Sequence, residues 1–291
     1  MSLPASGPIS LSQVNTELLI SPSTTTITMN DSGVRFLTGT STGTTDSMQQ
    51  LLGKSYVIAA NSGILTSGSS YTLPQTSGVT VKVLAIAGGA GGGGGSDRTS
   101  FSGFYTGGGG GGAGGNAYAT ITVTPGATIS FSIGGGGGGG NYRDGVYSSG
   151  SNGSAGSTTY ITYNGSTVAQ ASTGAGGLVS PNASGGSAGG VNTGSALVSA
   201  TAGGTAADSA TTGGQGAPGY NVNTTVGAGT ILTLGSYGTT YAEGSGGYGT
   251  SGTGYGSGGS GGGCAQSDRV NYNNIFSTAG SAGAVFIWWG Y

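Results

Sequence analysis

Long runs of glycine govern what this chain can fold into. They fall at 88–95, 107–115 and 134–140, continue loosely through 174–219, and return at 244–263. Glycine loses more backbone freedom on folding than any other residue, so a lone tract stays a flexible coil. Several tracts side by side change the balance. In an extended threefold conformation of the polyproline-II kind a chain makes no internal hydrogen bonds, and its N–H and C=O groups point outward in three directions. Without side chains, neighbouring tracts can approach backbone to backbone and satisfy those groups laterally. Cα–H···O contacts add a little. At a rise of about 3.1 Å per residue, the seven glycines 134–140 would make a rod roughly 22 Å long. A flexible spacer is the plain alternative. Spacers usually mix Gly with Ser and separate domains, whereas these tracts lie inside one β-rich unit.

Composition narrows the choice. Of 291 residues 70 are Gly but only 7 are Pro, with no G-X-Y repeat, which excludes collagen. With 6 Lys+Arg and 8 Asp+Glu the chain is far less charged than a disordered one. A net charge of −2 and the lack of a basic patch argue against a nucleic-acid partner. No apolar run reaches the ~20 residues that span a bilayer, so no membrane insertion is expected. MSLPASGPIS has neither the basic nor the apolar region of a signal peptide, so synthesis and folding in a cytoplasm are expected. With no His in the chain, neither a Ser-His-Asp nor a Cys-His arrangement is possible. Cys264 stands alone, which suits a buried small residue better than a metal ligand. The glycine tracts lack the GK[ST] ending of a phosphate loop, and the eight carboxylates are scattered singly. The expectation is a protein that is not an enzyme, with no cofactor and no metal.

Strand signals flank the tracts. VTVKVLAIA (79–87) is strongly β and runs into Gly88. NAYATITVTPGATISFSI (116–133) reads as a hairpin around Pro125-Gly126 with one apolar face. TTYITYNGSTVAQA (158–171) reads as a second hairpin around Asn164-Gly165. AGAVFIWWGY is a hydrophobic last strand. The fold class expected is mainly β with a glycine-rich polyglycine-II-type helical bundle. Residues 57–291 would form this domain.

Residues 1–56 read as a small mixed α/β N-terminal module. Ser10-Leu11-Ser12-Gln13 has capping-box spacing ahead of a helix whose Val14, Leu18 and Leu11 share a face. ITMND (27–31) reads as a strand leading to an Asn/Asp cap, and VRFL as one helical turn. Thr45 or Asp46 would cap a last short helix, DSMQQLL, stopped by Gly53. Such short elements need a docking partner.

Three inserts interrupt the glycines with a shared chemistry. Residues 96–106 carry Arg98, Phe101, Phe104 and Tyr105; 141–152 carry Tyr142, Arg143, Asp144 and Tyr147; 264–276 carry Arg269 and Tyr272. Three of the four arginines sit here, each beside an aspartate. A fourth segment, 236–255, is Tyr-rich and holds Glu243. Rigid aromatics with Arg, Ser, Gly and Asn make adaptable contact surfaces. These ten residues are the expected receptor-binding set, presented as loops at the ends of the rods. Charges that merely solubilise loops would look the same at any single position.

Two regions resemble known families. ISLSQVNTEL, ITMNDSGVRFLTG and LLGKSY resemble a short module that opens many tailed-bacteriophage virion proteins. VTVKVLAIAGGAGGGGG, GGNAYATITVTPGATISFSIGGGGGGG and GSAGAVFIWW resemble phage glycine-rich domains, and more broadly the polyglycine adhesins at the long tail-fibre tips of T-even-like phages. That resemblance implies a sandwich of polyglycine II helices whose variable loops select outer-membrane receptors. It further implies a virion location and a tail-fibre or receptor-binding role. The partners would be other virion proteins, through residues 1–56, and a host surface protein or glycan. Several copies per particle, with homo-oligomers as one arrangement, are expected. The alternative is a capsid, neck or tail decoration protein with a purely structural role. A non-viral extracellular glycine-rich matrix protein is a further one, and the missing signal peptide argues against it.

Overall fold

The strand AVFIWW, Ala284–Trp289, is apolar and buried at every position because both of its faces are covered. In the computed structural model, residues 6–17, 27–29, 31, 34, 47–51, 61–65, 67–73, 79–95, 107–123, 127–141, 150–179, 184–204, 213–223, 231–238, 251–262 and 277–289 are described. Among them the protein is mainly β, and every strand pair is antiparallel.

The strands are β1 (Asn61–Leu65), β2 (Ser70–Thr72), β3 (Val79–Ile86), β4 (Asn116–Val123), β5 (Thr128–Ser132), β6 (Thr159–Tyr163), β7 (Ser166–Ala171), β8 (Val191–Thr193), β9 (Tyr220–Val222), β10 (Leu232–Leu234) and β11 (Ala284–Trp289). They form a four-stranded sheet, β1-β11-β3-β4, a five-stranded sheet, β2-β5-β6-β7-β8, and a two-stranded ribbon, β10-β9. Alternate residues of the middle sheet serve two cores. Val81, Val83, Ala85, Val285, Ile287 and Trp289 pack against Ile129, Phe131, Ile161 and Ala169 of the five-stranded sheet. Leu84, Ile86, Phe286 and Trp288 pack against Tyr220 and Leu232 of the ribbon. The result is three layers, with β11 and β3 at the centre. Apolar residues on both faces of a strand erase the alternation that marks a half-exposed one.

The hairpin expected around Asn164-Gly165 is present: β6 pairs with β7, and Asn164 and Gly165 both take left-handed φ, 48° and 75°. Two such residues suit the type I′ turn, whose twist matches the strands. The hairpin expected around Pro125-Gly126 is not. β4 pairs with β3 in the middle sheet, whereas β5 pairs with β2 and β6 in the other. Val123 and Ile129 enter the same core from opposite sheets. The common apolar face is real, but it is the interior of a sandwich and not one face of a ribbon.

The glycine-rich tracts carry no helix or strand and are joined sideways. Tract 87–95 donates to tract 107–115 from Ala87, Ala90 and Gly93, to tract 150–158 from Gly88, Gly91 and Gly94, and to tract 277–283 from Gly89 and Gly92. The donors to each neighbour recur every third residue. The same tract accepts at Gly89 and Gly92 from tract 134–141, at Gly91 from tract 172–179, and at Ala90 and Gly93 from tract 256–262. These bonds measure between 2.8 and 3.1 Å. The six neighbours are also bonded to one another in a closed ring, through pairs such as Ser154–Gly138, Gly280–Gly137 and Thr278–Ser260. Tract 107–115 sits in a second such ring, completed by tracts 184–190, 200–204 and 213–219. Only glycine permits this spacing: a Cβ on Gly91 would lie 2.0 Å from the Gly138 carbonyl oxygen, and one on Gly111 2.1 Å from that of Ala90.

In the N-terminal region the capping box forms as expected. Gln13 Oε1 accepts from the Ser10 N–H at 2.8 Å, and the Gln13 N–H donates to Ser10 Oγ at 3.2 Å, ahead of α1 (Leu11–Glu17). Val14 is buried, Leu11 is exposed, and Leu18 lies outside the described residues. The strand expected at 27–31 is replaced by a second box. Asp31 accepts from the Thr28 N–H at 2.8 Å and from its hydroxyl at 2.9 Å, so local side-chain bonding wins over extension. A third box joins the Ser47 N–H to Gln50 at 2.7 Å, before the 3₁₀ turn Met48–Leu51. Thr45, Asp46 and Gly53 lie outside the described residues, as does VRFL apart from the helical Val34. Val14, Ile27, Val34 and Leu51 form a small core of their own.

Candidate functional site

The direction of each tract follows from its bonds. Partner numbers fall as donor numbers rise between 87–95 and 107–115, so those two run opposite ways; tracts 87–95 and 134–141 rise together and run the same way. Followed through the ten tracts named above, the chain reverses from each to the next. Strands β3, β5, β7 and β11 abut tract ends at Ala87, Gly134, Ser172 and Gly283, and β4, β6, β8 and β9 abut Gly115, Thr158, Gly190 and Gly219. Bonds such as Ala87–Gly115, Gly88–Ser157, Gly115–Ser172 and Gly283–Gly134 place these ends together. The opposite ends are likewise gathered: Gly93–Gly109, Gly94–Ser151, Gly140–Gly92, Leu178–Ser184, Gly214–Gly108 and Gly262–Gly93.

The chain therefore leaves and re-enters this second end on either side of 96–106, 142–149, 180–183, 205–212 and 263–276. Arg98, Phe101, Phe104, Tyr105, Tyr142, Arg143, Asp144, Tyr147, Arg269 and Tyr272 all belong to these segments and lie outside the described residues, as does Cys264. Their described flanks share one end of the array. Asn141 and Gly150 anchor one crossing: Ser151 N–H donates to the Asn141 carbonyl at 2.9 Å, and the Asn141 N–H to Ser151 Oγ at 2.8 Å. Val179 is held by Asn152, whose Oδ1 accepts its N–H at 2.8 Å. Every flank is thus tied laterally to another tract.

The Tyr-rich segment 236–255 behaves differently. Tyr255 packs edge-on against Phe286 with centroids 5.4 Å apart, and the Tyr255 N–H bonds back to Tyr220 at 2.9 Å. It packs against the core at the sheet end. Tyr237 is exposed, and residues 239–250, with Glu243, lie outside the described residues.

Two tyrosines have perturbed hydroxyls. Burial pushes Tyr220 up from the ordinary tyrosine value. The nearby Asn116 pulls the other way, although its amide is engaged with the Val198 carbonyl and the Leu197 N–H; among the described residues the Tyr220 hydroxyl has no hydrogen-bond partner. Burial also raises Tyr71, whose ring lies 5.4 Å from that of Trp289. Among the described residues no cluster of His, Cys, Asp or Glu could hold a metal ion, and no helix is long and apolar enough to cross a membrane.

Sequence reasoning missed an open groove at the sheet end, beside the start of tract 134–141. Phe131, Ser132, Gly135 and the exposed Tyr160 line it, with Ser67 and Ser69. The β6 alternation that buries Thr159 and Ile161 was enough to place Tyr160 outward. Its neighbours come from sequence positions that no local pattern joins.

Antiparallel sheets that feed a laterally bonded array of glycine tracts define a mainly β, glycine-rich scaffold. Residues 65–290 match the family model of the glycine-rich domain, and the chain belongs to that family. No curated protein matches it.

Proposed function

We propose that this is a phage virion structural protein, most simply a tail-fibre or receptor-binding adhesin that contacts the host surface through the segments between glycine tracts. The array is read as a bundle of polyglycine II helices. The three-residue recurrence of its bonds and its two closed rings of six support that reading. Residues 1–56 attach the protein to other virion proteins, and copies on one particle add weak contacts by avidity. The protein works without catalysis, cofactor or nucleic acid, and is made in the host cytoplasm before joining the virion.

The observation that carries the proposal is that the described flanks of five chain crossings are gathered at one end of the array, away from the strands that abut its other end. Three of these crossings hold Arg-Asp pairs with aromatic side chains. A rigid, laterally bonded base spares a contact surface much of its ordering cost.

The test replaces Phe101, Tyr105, Tyr142 and Arg143 together by alanine in the assembled particle and measures adsorption to host cells. Adsorption should fall at least tenfold while particle assembly is unchanged. Unchanged adsorption would leave a structural decoration role in its place. Fast amide exchange across Gly134–Gly140 in the assembled protein would refute the helix bundle.

A further inference from the structure

We propose that the groove at the sheet end is a binding site for one neutral saccharide unit. It is an open depression of about 530 Å³ lined by Ser67, Ser69, Phe131, Ser132, Gly135 and Tyr160 among others, at the opposite end of the array from the insert-bearing crossings. The volume falls within the few hundred Å³ typical of small-ligand sites. No charged side chain is among its described lining residues, which disfavours phosphates, nucleotides and charged peptides. What lines it is an exposed aromatic ring, three serines, the apolar Phe131, Ile133 and Ala282, and bare glycine backbone. A pyranose offers the matching surface: an apolar C–H face for the ring and hydroxyls around its rim that both donate and accept.

The walls are fixed. Gly68 takes a left-handed φ of 94°, and a Cβ there would sit 3.9 Å from Phe131 Cζ, so the turn at 67–69 closes over the Phe131 ring edge. The Phe131 N–H holds that turn through the Ser69 carbonyl at 2.8 Å. Gly134 is tied to Thr159 Oγ1 at 2.9 Å, and the Gly135 carbonyl accepts from Ser157 at 2.9 Å. The Gly135 N–H has no partner among the described residues, and Gly135 is exposed. It is also unusual among the tract glycines. A Cβ on nearly all of them would strike another backbone, but on Gly135 it would meet nothing within 4 Å. Packing does not require glycine at this position, and its bare backbone leaves the groove open on that side. Tyr160, 41% exposed, offers its ring beside this clear patch.

Saturation-transfer NMR on the full chain tests the site. The probes are the neutral methyl glycosides of glucose, galactose, mannose and N-acetylglucosamine, with methyl glucuronide as the charged comparison. At least one neutral glycoside should bind with Kd on the order of 1 mM, as expected for a single ring stacked on one aromatic side chain. Tyr160→Ala and Gly135→Val should each weaken it about tenfold or more. Gly138→Val, one turn along the same ridge and outside the groove, should leave it unchanged, since a Cβ there also meets nothing within 4 Å. Thermal melts check that all three variants fold. No transfer to any neutral glycoside at tens of millimolar, undiminished transfer with the folded Tyr160→Ala protein, or equal binding of the glucuronide would overturn the proposal.

Discussion

Replacing Gly92 by alanine should unfold most of what the array contributes, while the same change at Gly135 should not. Neither residue has a left-handed φ, so alanine suits both backbones and the difference lies in packing. A Cβ at position 92 would lie 2.0 Å from the Ser260 carbonyl oxygen. Tracts 87–95 and 256–262 would have to part by about 1.4 Å to reach ordinary contact at 3.4 Å. That stretches the bonds from Gly259 to Ala90 (2.8 Å) and from Gly262 to Gly93 (2.9 Å) to about 4 Å, beyond hydrogen-bonding range. All four residues are buried, so the freed N–H and C=O groups find no water. At about 1–3 kcal/mol for each buried unsatisfied group, the loss is at least about 4 kcal/mol. A typical domain is stable by only about 5–15 kcal/mol. Gly135→Ala meets nothing and restricts the unfolded chain, so it should stabilise by about 0.4–1 kcal/mol. Guanidinium unfolding followed by circular dichroism gives both numbers. If Gly92→Ala were within 1 kcal/mol of the parent, or Gly135→Ala were equally damaging, the lateral bonding described above would be wrong.

Two further outcomes rest on local features. Tyr220 and Tyr71 hold their protons past the ordinary tyrosine value near 10, so above that pH the folded state binds more protons than the unfolded one. Their contribution to stability is intact below about pH 10 and is lost as pH rises from there through the folded values. Tyr220→Phe removes a buried hydroxyl that has no partner among the described residues; it should raise stability by about 1 kcal/mol and move the alkaline decline upward, as measured by melts from pH 8 to 12. Gly165→Ala places a Cβ on a residue with φ of 75° and should cost about 1–2 kcal/mol in the same unfolding assay, with no loss of the β4 amide protection that depends on β3.

Local signals in the sequence survived where the structure they specify is also local. Asn164-Gly165 fixes its hairpin because both residues must reach left-handed φ within the turn itself. Ser10 and Gln13 cap their helix for the same reason. Pro125-Gly126 looked equivalent, yet β4 finds a longer partner in β3, eight residues in register. Pairing across a sandwich depends on residues that no window of sequence joins. The same limit hid the position of β11: its apolar run was legible, but its place between β1 and β3 was not. Nothing local revealed the groove either, because Ser67, Phe131 and Tyr160 meet only once three strands are paired. The glycine tracts were legible as a need for close approach, and their partners were not, because a residue without a side chain carries no mark of what it faces.

The three-residue recurrence of the lateral bonds imposes something like a reading frame on the tracts. One glycine added within 134–140 would shift every later N–H of that tract by one place in this three-residue pattern. Groups now aimed at tract 87–95 would then face solvent or the wrong neighbour. Three added glycines would restore the pattern and only lengthen the tract. Length in this scaffold should therefore vary between relatives in triplets inside the tracts, and without any such rule in the segments that join them.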